Sequence, residues 1–180
     1  TWSPTKNVLC KIKVPGAGNS SPVVWKNQLF LTTAYDNGKK RSVLCFDIAD
    51  GKQLWETFTP VGVIEVAKDK NGFASATVAC DGERVYAYFG NFGLLCLDMA
   101  GKQVWHKSFG DMDAYHGTSC SPLLYKDRVI IFQDHRSKSG SFVAAFDKRS
   151  GDQLWKTPRK EKVGWGSAIA IRAGDIGRDR

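Results

Sequence analysis

Three tryptophans, Trp55, Trp105 and Trp155, stand 50 residues apart, and each follows a glycine by four positions. Their surroundings align as Phe46-Asp47-Ile48-Ala49-Asp50-Gly51-Lys52-Gln53-Leu54-Trp55, Leu97-Asp98-Met99-Ala100-Gly101-Lys102-Gln103-Val104-Trp105 and Phe146-Asp147-Lys148-Arg149-Ser150-Gly151-Asp152-Gln153-Leu154-Trp155. A second landmark, Ser21-Pro22-Val23-Val24-Trp25, returns 100 residues later as Ser121-Pro122-Leu123-Leu124-Tyr125. Thr77-Val78-Ala79-Cys80 is a copy between them that lacks the proline, and another copy starts at Ser167-Ala168-Ile169-Ala170-Ile171. One unit repeated in this way folds as a stack or ring of units, because each buries its apolar face only against its neighbours.

Within the first unit, apolar runs and turn residues predict strands over 21–25, 28–34, 41–47 and 52–58. Lys26-Asn27, Asp36-Asn37-Gly38 and the Asp47 to Gly51 segment supply the connections. In that last turn the carboxylate of Asp47, Asp98 or Asp147 accepts backbone N–H groups, while Gly51, Gly101 or Gly151 supplies a residue at positive φ. The tryptophan that follows is expected to pack between neighbouring sheets. No helical periodicity competes, so the class is all-β. Four strands per period of about 50 residues imply a β-propeller. Complete four-stranded antiparallel blades are expected near 20–60, 74–110 and 117–160, with partial ones at 8–16 and 163–180, all in one propeller segment over 1–180.

The composition supports a packed domain: 42% of the 180 residues are apolar and 12% aromatic. Twenty-six Lys and Arg against 18 Asp and Glu leave a net charge of +8, which excludes collagen, coiled coil and a disordered chain as readings. No apolar run approaches the roughly 18 residues of a membrane-spanning helix. The basic clusters Lys39-Lys40-Arg41 and 156–162, with Arg159, fall in turns without interleaved aromatics, so they read as solvated loop ends and not as a nucleic-acid groove. Cys10, Cys45, Cys80, Cys96 and Cys120 are odd in number and form no Cys-x-x-Cys pair. They read as small buried hydrophobes and not as a disulfide framework or zinc site.

The Ser-Pro-Val-Val opening and the apolar-Asp-x-x-x-Gly-Lys-x-x-Trp ending resemble the pyrroloquinoline-quinone (PQQ)-like, quinoprotein-type propeller repeat, over residues 8–174. Asn7 to Gly16 resembles the outer strand of a preceding blade, with Cys10 where tryptophan is usual. A ring needs about four to eight blades. The resemblance therefore implies a piece of a longer exported bacterial protein, periplasmic or on the cell surface, with a ring assembled from several chains as the alternative. The same blade serves dehydrogenases and outer-membrane assembly lipoproteins of the BamB type. Membership of the dehydrogenases would imply PQQ held over a tryptophan, calcium on Glu, Asn and Asp ligands, and an Asp as general base. No motif places that set here, and the adjacent cysteine pair of many of those enzymes is absent.

In propellers of this kind the first strand of each blade lines the channel, and the loops before it open on one rim. The candidate ligand-binding residues are therefore Asn19 and Ser20, Phe73 and Ser75, His116, Thr118 and Ser119, and Trp165 with Ser167. His116 and Trp165 either stack on a planar ligand or serve a turn and a blade interface. Asp111, Asp113 and His116, with Asp134-His135 one strand later, read either as oxygen and nitrogen ligands for a divalent cation or as a solvated loop, and no metal is assigned to them. No Gly-x-Ser-x-Gly elbow is present, and Gly16-Ala17-Gly18 lacks the third glycine of a nucleotide loop. Asn19-Ser20-Ser21 matches a glycosylation sequon. Two functions follow: a non-catalytic scaffold that engages a protein or cell-envelope component, or a PQQ- and calcium-dependent dehydrogenase with His116 and Trp165 near the cofactor.

Overall fold

A computed structural model describes residues 3, 5–8, 11–64, 71–112, 114, 116–118, 120–137 and 140–171. The first sheet runs β1 (Val23–Trp25), β2 (Gln28–Tyr35), β3 (Lys40–Asp47) and β4 (Gln53–Phe58) in chain order. The second holds β5 (Ala79–Cys80), β6 (Arg84–Tyr88), β7 (Leu94–Asp98) and β8 (Gln103–Lys107). The third holds β9 (Leu123–Tyr125), β10 (Arg128–Gln133), β11 (Phe142–Asp147) and β12 (Gln153–Pro158). Neighbouring strands pair antiparallel throughout. From sheet to sheet, β1 approaches β5 and β5 approaches β9. First strands gathered in this way, with the sheets fanning outward from them, form the blades of a β-propeller.

The third-to-fourth-strand turn behaves as its residues dictate. The Asp47 carboxylate accepts the Ala49 N–H at 2.7 Å, that of Asp98 accepts Ala100 and Lys102, and that of Asp147 accepts Arg149 and Ser150. The closing glycines lie at φ of +73°, +83° and +76° for Gly51, Gly101 and Gly151, a region that favours a residue without Cβ. These amide hydrogen bonds hold the Asp147 carboxyl below its ordinary value. Each turn is followed by the same β-bulge, opposite Cys45/Phe46, Cys96/Leu97 and Ala145/Phe146. The bulge leaves Leu54, Val104 and Leu154 out of register and exposed, and it turns the next residue, the tryptophan, toward the neighbouring blade.

That orientation builds the blade interfaces. Trp55 lies on Gly101, where an added Cβ would come within 2.6 Å of the indole, and its Nε1 donates to the Met99 carbonyl at 3.1 Å. Trp105 repeats this on Gly151, with 2.7 Å to an added Cβ and a 3.2 Å bond from Nε1 to the Lys148 carbonyl. Between the first two sheets Phe30, Val43 and Cys45 pack with Val85, Leu95 and Leu97. Between the second and third, Tyr86, Leu94, Cys96 and Trp105 pack with Val129, Ile131, Ala144 and Phe146. The unbroken apolar run Leu94 to Leu97 follows from this: β7 is covered on both faces, so each side chain meets core whichever way it points.

Several expectations need correction. β1 and β9 begin at residues 23 and 123 and not at the serines, because Pro22 and Pro122 offer no N–H to a ladder and the serine N–H groups bond to a neighbouring blade. Residues 11–15, expected in an outer strand, join no strand among the described residues. Ile12 lies instead against Gly51. Trp155 remains 37% exposed, having no further sheet against it among the described residues. Arg41 is not a solvated loop end but fully buried: its Nη1 donates to the Phe89 carbonyl at 2.7 Å, Nε donates to Gly38, and its guanidinium lies 4.0 Å from the Phe92 ring centre. Cys45, Cys96 and Cys120 are buried and Cys80 is half-buried, while Cys10 lies outside the described residues. Burial pushes the Cys45 and Cys96 thiols up to about 12 and Cys120 to about 11, which favours the protonated thiol over the thiolate.

Trp105 is only 7% exposed, so Trp105→Ala is expected to cost about 3 to 5 kcal/mol in urea unfolding. A loss below about 1 kcal/mol, the scale of a surface change, would remove it from the interface. Gly151→Ala should be destabilising by the same assay, because its Cβ would strike the Trp105 ring and its φ is left-handed.

Candidate functional site

Most polar groups of the residues before each first strand are engaged by the blades themselves. Ser20 Oγ accepts the Thr32 N–H at 3.1 Å, and Ser75 Oγ donates to the Gly72 carbonyl at 3.1 Å. Exposed Asn19 is tied through its backbone, its N–H donating to Ala74 O at 2.9 Å. The Phe73 ring lies on Gly38 and faces the Arg41 guanidinium at 5.2 Å. Thr118 is half-buried, whereas Ser119, Asp113 and Tyr115 fall outside the described residues.

Ser167 belongs to a series that the sequence landmarks mark without revealing its role. Ser21 N–H donates to Thr77 Oγ1 at 3.0 Å, Thr77 N–H to Ser121 Oγ at 3.0 Å, and Ser121 N–H to Ser167 Oγ at 3.2 Å. One hydroxyl per blade thus accepts the N–H of the equivalent residue in the blade before it. The available signal was the recurrence of Ser or Thr at the head of each copy. The bond itself runs between blades, so only the closed geometry shows it.

Asp134, one of the candidate cation ligands, is bound by an arginine. It is 4% exposed and receives Arg159 through both oxygens, Nε at 2.8 Å and Nη2 at 3.2 Å. Arg159 was expected in a solvated cluster; its head group lies instead in this fork, the geometry that best matches a carboxylate. His135 meets the Gln133 side chain at 3.1 Å, and Gln133 in turn accepts the Tyr88 hydroxyl at 2.7 Å. Among the described residues no three His, Cys, Asp or Glu side chains converge as metal ligands.

His116 and Trp165 form an aromatic pair. The His116 and Trp165 rings lie 5.8 Å apart at an interplanar angle of 52°, and Trp165 is 50% exposed. Sequence spacing places these rings on the same rim although 49 residues separate them, and the structure brings them into contact. Farther along the second blade interface, Lys148 Nζ meets Asp81 at 2.8 Å with both side chains largely covered. Burial opposes ionisation of Asp81, but the Lys148 bond and the Glu83 and Arg84 amides outweigh it and hold the carboxyl below its ordinary value.

The family described as outer membrane protein assembly factor BamB matches residues 2–113 and 39–176. The chain belongs to this PQQ-like repeat family. A quinohemoprotein alcohol dehydrogenase, ADH IIB of Pseudomonas putida, is 27% identical over 116 residues, which are 63% of this chain and 17% of the dehydrogenase. Among solved structures, a europium-containing methanol dehydrogenase superposes with a TM-score of 0.58 at 19% identity, over 78% of this chain and 24% of that one. The quinohemoprotein alcohol dehydrogenase of Comamonas testosteroni gives 0.56 at 21% identity, over 79% and 21%. The computationally designed Ika4 protein gives 0.57 at 10% identity, over 89% and 83%. This PQQ-like chain therefore spans 17% to 24% of the length of those dehydrogenases.

Two outcomes test the site's electrostatics. Asp134→Asn is expected to cost about 3 kcal/mol in thermal unfolding, the low end for a broken buried pair because Arg159 is 35% exposed. The Asp81–Lys148 pair should stabilise the fold fully above the ordinary carboxylate value near 3.9 and lose that contribution as the pH falls through the lower folded value. Asp81→Asn should therefore flatten the acid limb of a stability-against-pH curve, and an unchanged limb would exclude the pair as its source.

Proposed function

We propose that this chain is a segment of a non-catalytic binding propeller, exported to the periplasm or cell surface of a bacterium, whose rim engages a protein or cell-envelope component. The observation that carries the reading is the state of the rim. Ser20, Ser75, Ser167 and Asp134 spend their polar groups on the blades themselves, while the Trp165 indole is presented to solvent beside His116. An exposed indole with an imidazole beside it is contact surface: it supplies large apolar area with little entropy to lose. Membership of the PQQ-like repeat family supports the architecture and does not by itself separate binding from catalysis, because function resides in sites grafted on the fold.

The second reading is a PQQ- and calcium-dependent dehydrogenase, favoured by the 27% identity to the Pseudomonas putida enzyme. In that case His116 and Trp165 would border the cofactor, while Asp134, committed to Arg159, would not serve calcium.

The discriminating experiment is dye-linked oxidation of alcohols and sugars by the full-length protein supplied with PQQ and calcium. The expected outcome is no turnover above the protein-free control, and robust turnover overturns the binding reading. Trp165→Ala should change stability by less than about 1 kcal/mol, unlike Trp105→Ala, because a half-exposed rim ring contributes contact surface and not core.

A further inference from the structure

The turns that join the second strand of a blade to the third are not copies of one another. In the second blade this turn, Gly90–Phe92, is buried, and between Phe89 and Gly93 only the two glycines take positive φ. In the first blade Asp36, Asn37 and Gly38 stand in succession at φ of +51°, +54° and +83°. Aspartate and asparagine enter this left-handed region more readily than other side chains, yet two of them beside a glycine make a strained turn that its surroundings must hold. Asp36 and Asn37 are exposed there, while Gly38 is buried under the Phe73 ring, which an added Cβ would strike.

Strain kept in this way collects at ligand clamps, and here the turn forms one wall of a cavity. The cavity measures about 490 Å³ and opens to solvent, within the range of small-molecule sites. Gly16 and Ala17 line it from the segment entering the first blade, and Gly72 and Phe73 from the segment entering the second. The walls are fixed to one another: Ala17 and Ala34 exchange N–H to carbonyl bonds at 2.9 Å, and the Asn19 N–H donates to Ala74 O at 2.9 Å. Both blades that supply these walls have all four strands.

The lining decides what fits. Gly16, Ala17 and Gly72 present backbone with little side chain, and Tyr35 and Phe73 add aromatic rings. The Tyr35 hydroxyl donates to Glu56 Oε1 at 2.7 Å, so its ring and not a free polar group serves the cavity. The Asp36 carboxylate pairs with exposed Lys40 at 3.2 Å, which leaves the pair without net charge. A carboxylate has acceptor sites to spare beyond one such contact. Aromatic walls with one strong acceptor at the mouth suit a neutral planar ring that carries an N–H or O–H, as an indole or a phenol does.

We propose that this cavity between the entries to the first and second blades binds a neutral aromatic ring bearing a hydrogen-bond donor, with Asp36 accepting the donor and Tyr35 and Phe73 flanking the ring. The ring belongs either to a small molecule or to a side chain of a polypeptide. The proposal goes beyond the reading of His116 and Trp165 as contact surface, and dye-linked turnover neither supports nor removes it.

The test adds the full-length protein to fluoroindole and follows the broadening of its fluorine NMR line, with the N-methyl derivative as the ring without a donor. Fluoroindole is expected to broaden saturably and the N-methyl derivative to bind several-fold more weakly. Gly72→Phe should abolish the broadening with an unchanged unfolding temperature: Gly72 does not take positive φ, and an added Cβ there meets nothing nearer than Asn19 Nδ2 at 4.0 Å. Asp36→Asn, which keeps a residue suited to the left-handed turn, should weaken fluoroindole several-fold and leave the N-methyl derivative unmoved; this comparison decides alone if Gly72→Phe disturbs folding. No saturable broadening, or broadening that survives both substitutions, overturns the proposal. Displacement of fluoroindole by a blocked alanyl-tryptophyl-alanine peptide supports it with a polypeptide side chain as the source, and binding of fluoroindole without such displacement supports it with a small molecule.

Discussion

The seating of one blade's tryptophan on the next blade's glycine is the contact on which this molecule depends. Trp55 on Gly101 and Trp105 on Gly151 each combine a large buried ring with a hydrogen bond from its indole nitrogen to a turn carbonyl. The fit requires three things of the turn at once: an aspartate to organise the amides, a glycine at positive φ, and a bulge that aims the ring across the gap. The aspartate acts within its own turn, while the glycine and the bulge serve the contact between blades, so the apolar strands become a common core only when neighbours are present.

The inner side of the blades is joined by a second, polar device. The hydroxyl series through Thr77, Ser121 and Ser167 satisfies the backbone N–H groups of Ser21, Thr77 and Ser121 at the heads of the blades. Arg41 and the Asp134–Arg159 pair extend the principle to charge. A buried guanidinium is tolerated where carbonyls and aromatic faces replace water, and a buried carboxylate where a bidentate partner meets it. The described buried side-chain polar atoms all have partners. Groups that hold the blades together in this way are not available for other contacts.

Much of this was legible in the chain. The spacing of Trp55, Trp105 and Trp155 and the Asp-to-Gly turns foretold four-stranded units to within a residue or two at most strand ends. The roles of Arg41 and Arg159 were not legible, because a lysine-arginine cluster in a turn looks solvated until the covering element is known. For Arg41 that element is the second blade, through Phe73, Phe89 and Phe92. Asp134 and Arg159 are 25 residues apart and meet only because their loops end on the same side of one sheet. His116 and Trp165 were both placed on the rim by the repeat, yet their contact depends on how adjacent blades are rotated about the axis.

The sequence by itself determined the unit: strand order, turn conformation and the identity of the anchoring ring. These follow from short-range rules of proline, glycine, aspartate and apolar periodicity, which need no knowledge of distant residues. Only the tertiary structure decided which polar groups are consumed and which remain exposed. That outcome is set by through-space partners 44 to 56 residues away in the next blade, and a side chain's chemistry depends on what removes it from water.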